Sequence, residues 1–360
     1  MRKEEKMKKT LLIGTSLWVI ILLAAPLGAK AAPASAADFF KDNKVTLICG
    51  YGPGGASDIA SRLLASYWTE VTGGAMVVKN MEGAGGLVGA NFVYEAKPDG
   101  LTMGQSNFGS VFLGGVLMGQ AGVKFDVAKL NFIGAMFTPP WGFSIGAKTP
   151  GTTIGDLQKA KGLKFAGPSP KDNAVTNAAL LIDFFGLDAK IVTGYKGSAE
   201  MGLACGRGEA DGSVIPGSGL IVQMEKGFMK SPPLVVFHRE RTEYFPNTPT
   251  LLDLVKASTK KDLTPEQEKL FTVVELLNRA DMVFYAPPGI PEDRLKFMRD
   301  AFVRVTANSA LQEISKKWWP VWTKPLTSDD LTVIIKKTLA TPKEDVARIN
   351  QLVNKYLAIK

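Results

Sequence analysis

Gly50-Tyr51-Gly52-Pro53-Gly54-Gly55 directly follows the strand-like run VTLIC and leads into Ala56-Ser57-Asp58. A strand, a tight glycine turn and a helix start leave several backbone N–H groups around one concave spot, and the helix dipole adds partial positive charge there. Pro53 sets φ in the turn, while Gly54 and Gly55 allow positive φ and close approach of a ligand. Such a loop is built to hold an anion. Its letters also satisfy G-x-G-x-x-G, the dinucleotide fingerprint, which further requires an acidic residue at the end of the next strand to hold a ribose hydroxyl. That strand ends in Lys79-Asn80, with Glu82 beyond it, and Pro53 stands where the helix should already be starting. The context disfavours a nucleotide.

Other chemistry finds few parts. The one histidine, His238 in LVVFHRER, and two distant cysteines, Cys49 and Cys205, support neither an ordinary zinc site nor a Cys–His pair. No G-x-S-x-G elbow occurs among the serines. The expectation is a protein that is not an enzyme and has no metal or cofactor. The two cysteines read more simply as buried free thiols than as a disulfide.

The elements that must position the glycine loop alternate in the α/β manner. Strands are expected at 45–50, 75–80, 101–107, 163–167, 189–194, 210–215 and 232–238. Helices are expected at 57–74, 153–161, 173–186, 198–206, 291–306 and 328–356. In the first helix Ile59, Leu63, Tyr67 and Val71 recur on one face, and Gly73-Gly74 stops it. The extended stretch 130–147, broken by Pro139-Pro140, reads as a crossover to a second domain. Residues 256–278 read as an inserted helical hairpin, and 281–289 as the return.

The chain opens with the layout of a secretory signal peptide: a basic segment, the apolar run 11–29, and small-residue sites at Ala29-Lys30-Ala31 and Ala34-Ser35-Ala36. Cleavage near Ala36 is expected in preference to a retained membrane anchor, giving a periplasmic protein. It would also lower the formal net charge from +9 to +5. No long Lys/Arg block remains to suggest nucleic acid, and the mild excess suits an anionic small molecule. The remaining length suits two domains.

GYGPGGASDIASRL, VVKNMEGAGGLVGA and KPDGLTMGQSN resemble, in order and spacing, the opening of the Bug family, the extracytoplasmic substrate-binding proteins of tripartite tricarboxylate transporters. TGYKGSAEMGLACGRGEADG, RTEYFPNTPTLLDL and YAPPGIPEDRL resemble later segments of that family. The resemblance covers most of 44–310 and implies a two-lobe type II periplasmic-binding-protein fold with a ligand cleft between lobes. It would place the first lobe at 37–142 and 280–360 and the second at 143–279. It further implies capture of a small carboxylate by cleft closure, Venus-flytrap fashion, with delivery to integral-membrane transporter subunits by a monomer. A sensory protein presenting its ligand to a membrane kinase is the alternative, with a phosphate- or nucleotide-using enzyme behind it.

Carried over by position, the first-lobe candidates are Tyr51, Gly54, Gly55, Ser57, Gly85, Gly86, Ser106 and Asn107. Ser57 reads equally as a helix cap, and Asp58, pairing with Arg62, as structural. In the second lobe the candidates are Tyr195, Gly197 and Asp211, with Asp211 also able to act through a loop-stabilising hydrogen bond. The loop AGPSPKDNAVTN (166–177) departs from the family's small Gly/Ser-rich loop, which brings Lys171 and Asn173 toward the ligand. The Trp318, Trp319 and Trp322 cluster reads as buried packing or as a surface patch.

Overall fold

A computed structural model describes residues 35–117 and 119–358. The targeting segment read over 1–36 therefore lies almost wholly outside the described residues. Two sheets organise the chain. The first has six strands in the order β11-β4-β10-β3-β1-β2, formed by β1 Val45–Cys49, β2 Met76–Asn80, β3 Thr102–Ser106, β4 Asn131–Ala135, β10 Val283–Ala286 and β11 Leu326–Thr327. The second has five in the order β7-β6-β8-β5-β9, formed by β5 Trp141–Ile145, β6 Leu163–Gly167, β7 Ala189–Thr193, β8 Gly212–Pro216 and β9 Val235–Val236.

Strands β1, β2 and β3 are parallel, as are β6, β7 and β8, so their carboxyl ends share one edge of each sheet. β10 and β5 run antiparallel to their neighbours. This is the two-lobe type II arrangement. The chain crosses between sheets at 136–140 and returns at 279–282. Each crossing holds a non-glycine residue with positive φ, Phe137 at 54° and Met282 at 46°, and the two are tied by Met136 N–H donating to Met282 O.

Helix Ala56–Thr72 ends where expected, at Gly73 in the left-handed region with φ 72°. Its buried stripe is Ala60, Leu64 and Trp68 with Leu63, one residue round from the face read in the sequence; Ile59, Tyr67 and Val71 flank it, half-buried. The large Trp68 ring decides the rotation. Helix Asn173–Phe185 is buried on every side except at Asp183. It runs between the second sheet's core and two other helices, Pro265–Asn278 and Lys343–Tyr356.

That packing changes three expectations. The hairpin begins earlier, with helix Leu251–Thr259, and its second arm contributes Leu270, Phe271, Val273 and Val274 to the second sheet's core. The single helix read at 328–356 divides into Ser328–Leu339 and Lys343–Tyr356, because Pro342 cannot continue the first. The second of these sends Ile349, Leu352 and Val353 into the second sheet's core, and Leu357 bridges Ile191, although the sequence reading returned all of 280–360 to the first lobe. Helices Ala36–Asp42, Leu87–Tyr94, Gly217–Glu225 and Ser309–Ser315 were among those not foreseen.

Cys49 ends β1 in the first sheet, and Cys205 lies in helix Ser198–Arg207 on the second. Both are buried free thiols. Trp319 is fully buried and stacks on Phe137, with centroids 3.9 Å apart and planes within 7°, while Trp318 stays 37% exposed.

Candidate functional site

The glycine loop sits at the carboxyl edge of β1, where strand-to-helix loops gather. Gly54 takes φ 78°, and Gly55 caps helix Ala56–Thr72 without any side-chain cap. The first-turn N–H groups are thus left pointing out of the helix end. Asp58 brackets the loop from behind, accepting from Gly54 N–H (2.9 Å), Arg62 Nε (2.9 Å) and Asn80 Nδ2 (2.8 Å). Burial would raise its carboxyl, but these donors outweigh burial and hold it below the ordinary carboxylate range. Asp58 is structural, as read.

Tyr51, Ser57, Gly86, Ser106 and Asn107 come together around this loop. The Tyr51 hydroxyl accepts from Asn107 N–H (3.2 Å), and Ser57 Oγ donates to Asn107 Oδ1 (3.2 Å). Ser57 is therefore not the helix cap. A Cβ on Gly86 would lie 3.1 Å from the Tyr51 hydroxyl, so only glycine lets the ring lie across that turn. Gly85 and Gly86 both take positive φ, 69° and 100°, at the start of helix Leu87–Tyr94. Ser106 Oγ lies 3.1 Å from Tyr285 Oη. Burial pushes the Tyr51 phenol well above its ordinary pKa, so it remains a neutral hydroxyl.

In the second lobe, Gly197 caps helix Ser198–Arg207 with φ 150° and no side-chain cap. Glu200 reaches back to Lys196 N–H (2.9 Å). Helix Gly217–Glu225 also starts without a side-chain cap. The two starts converge: a Cβ on Gly219 would lie 2.9 Å from Ser198 Oγ. Ser198 and Ser218 thus stand at a second anion-ready corner that the sequence reading missed. Its signal was Pro216-Gly217-Ser218-Gly219 directly after a strand. Tyr195 is half-buried, its ring packed against the core of Met201, Ala204 and Cys205, and its phenol is raised by burial and by Glu209.

The third helix start is different. Asp172 caps helix Asn173–Phe185 by accepting from Ala174 N–H (2.8 Å), and its other oxygen accepts from Ser110 Oγ (3.1 Å) in the first-lobe turn Phe108–Gly114. Lys171 is half-buried in the loop before it. Asn173 is 3% exposed and spends its Nδ2 on Leu277 O (2.8 Å), so it lies in the seam between lobes.

Asp211 lies elsewhere. It precedes β8 at the opposite edge of the sheet, where it accepts from Thr149 Oγ1 (3.2 Å) and Lys164 N–H (2.9 Å). Its hydrogen bonds are loop-stabilising, and it is a strand's length, roughly 16 Å, from the carboxyl edge. It does not join the site.

Among the described residues no cluster of His, Cys, Asp and Glu could hold a metal ion. An open groove of about 450 Å³ runs along Phe302, Val303, Thr306, Trp322 and Leu326. Its lining is mostly apolar, with Gln312 and Lys324 among the polar exceptions, and the helix start at its rim is already sealed by the Thr327–Asp330 capping box.

A family model, the tripartite tricarboxylate transporter family receptor, matches residues 60–343. The chain is 29% identical over 243 residues to a protein encoded in the gbd 5' region of Cupriavidus necator, covering 65% of this chain and 72% of that one. It is 33% identical over 89 residues to BugT of Bordetella pertussis, 25% of this chain and 27% of BugT. Among solved structures, it is similar to a protein of R. palustris with adipate, with TM-score 0.67 and 19% identity over 86% of this chain and 97% of that one. It is also similar to MatC of Rhodopseudomonas palustris with bound malate, with TM-score 0.63 and 18% identity over 86% and 98%. At those identities the structures speak for the shared fold.

Proposed function

Because the chain belongs to the tripartite tricarboxylate transporter receptor family, we propose that it is an exported solute-binding protein that closes its cleft on a small carboxylate and presents it to the membrane subunits of a transporter. One observation carries this reading: uncapped helix starts stand at the carboxyl edges of both sheets, at Gly55 in one lobe and at Gly197 and Pro216 in the other. Each can offer N–H groups and a dipole end to one carboxylate. The malate and adipate held by two proteins of the same fold are carboxylates of the size this implies. Tyr51, Gly54, Gly55, Ser57, Gly85, Gly86, Ser106 and Asn107 form the first-lobe wall in this reading, and Tyr195, Gly197, Ser198 and Ser218 the second. The 1–36 segment directs export and is removed near Ala36, leaving a periplasmic monomer.

Thermal-shift screening of the purified protein against mono-, di- and tricarboxylates, amino acids and nucleotides tests it. A ligand at 100 times its Kd adds about 2.7 kcal/mol, a plainly visible rise in melting temperature. A shift with one class of carboxylate is expected. A shift with nucleotides alone would return the glycine loop to phosphate.

A further inference from the structure

Between the two anion-ready corners, the seam where the lobes meet offers acceptors. Asp172 there carries two hydrogen bonds, from Ala174 N–H and Ser110 Oγ. Asn173 beside it is so close to the first lobe that a Cβ on Gly109 would collide with its Nδ2 and with Leu277 O. That Nδ2 is used by Leu277 O, and among the described residues Asn173 Oδ1 is a buried acceptor with no donor. Asp281, in the return crossing and 5% exposed, accepts among the described residues only from the N–H of Met282. The charge of Asp172 bears on Asp281, and both bear on Tyr51. The seam thus presents two carboxyl groups and a bare amide oxygen, in electrostatic reach of the Tyr51 hydroxyl.

We propose that Asp172 and Asp281 select the ligand by a group other than its carboxylates: the bound molecule carries a hydrogen-bond donor, an ammonium or a hydroxyl, on the carbon chain that lies against this seam. The inference rests on the carboxylate-binding reading above. A carboxylate turned toward Asp172 and Asp281 meets like charge away from bulk water wherever they are ionised, and would drive them further toward protonation. A bare methylene leaves their lone pairs and Asn173 Oδ1 without a donor, which costs more than a partnered hydrogen bond gains. An ammonium or hydroxyl satisfies them, while the ligand's carboxylates keep to the uncapped helix starts. The seam residues come from the 166–177 loop and the return crossing; the loop is where the chain departs most from the sequence pattern it otherwise resembles.

The test is a titration of the purified protein with succinate, malate and aspartate, which share two carboxylates and differ only by hydrogen, hydroxyl or ammonium at one carbon. Adipate and 2-aminoadipate form a longer pair. The substituted member should bind at least tenfold more tightly than its parent, and whether malate or aspartate gains more separates hydroxyl from ammonium. Asp281→Asn and Asp172→Asn should collapse that ratio toward one. Both amides keep the backbone bonds, since Asn also caps a helix, so folding is preserved and melting curves check it. Parents that bind as tightly as the substituted acids overturn the inference, as do variants that weaken all the ligands by the same factor. If none of these acids binds, the inference falls, and the wider carboxylate screen above decides whether the carboxylate reading falls with it.

Discussion

The Ser110 hydroxyl donates to Asp172 across 3.1 Å, so a turn on the first sheet is bonded to the helix cap of the second. The same carboxylate seals helix Asn173–Phe185 through Ala174 N–H. Asp172→Ala loses both functions and should cost about 1–3 kcal/mol, a helix cap plus a hydrogen bond. Ser110→Ala should cost about 1 kcal/mol. Urea unfolding of the two variants measures the difference, and equal costs would mean that the cap contributes nothing.

Asp281 makes stability depend on pH. Burial, with the Asp172 charge added, pushes its carboxyl from 3.8 up to about 7. The folded protein therefore holds this proton more tightly than the unfolded chain does. The stability it contributes is fully present below 3.8 and is lost as the pH rises through about 7. Each tenfold change in proton affinity is worth about 1.4 kcal/mol, so the loss is on the order of a few kcal/mol. Melting temperatures of wild type and Asp281→Asn from acid to neutral pH should converge at the acid end and separate toward neutrality, the variant being the more stable there. Parallel curves would show that Asp281 does not titrate in this window.

Trp319 and Trp318 should part company under mutation. Trp319 is fully buried on Phe137 in the outgoing crossing, and the neighbouring Thr323 Oγ1 accepts from Thr138 N–H at 2.9 Å. Trp319→Ala should cost about 3–5 kcal/mol, whereas Trp318→Ala should stay within about 0.5 kcal/mol. Chemical denaturation of both resolves the tryptophan cluster into one packing residue and one surface residue; similar costs would contradict that division.

The two thiols should be inert in the folded protein. Burial raises Cys49 and pushes Cys205 up to about 12, leaving essentially no thiolate near neutral pH. A thiol reagent should label neither in buffer and both in denaturant, with no need of a reductant. Labelling of one cysteine in the native state would mean that its lobe opens far more than the packing allows.

Much of this was legible beforehand, and the gaps have physical causes. VTLIC followed by a Gly-Pro-Gly-Gly turn and an amphipathic run announces strand, turn and helix from local signals alone. Asp211 also sits beside a strand, but which edge of the sheet it occupies depends on the parallel pairing of β6 with β8, a long-range fact. The apolar face of helix Lys343–Tyr356 is plain in the sequence, yet nothing local says that it crosses to the second sheet. Asp281 looks like a loop residue between a helix and a strand. Its burial follows from the crossing it occupies between lobes. Ser218 was missed for a simpler reason: its signal was only the short turn Pro216-Gly217-Ser218-Gly219 at the end of β8, with no longer motif around it.

The most direct test of the central claim is calorimetric titration of a carboxylate ligand into wild type, Ser57→Leu and Gly197→Val. The first change fills the space at one uncapped helix start; the second puts a β-branched side chain where φ is 150°, at the other. Saturable binding of one carboxylate per chain, lost or weakened at least a hundredfold in each variant while both remain folded, is the predicted result. A carboxylate that binds both variants as well as it binds wild type would show that the ligand does not lie between these two helix starts.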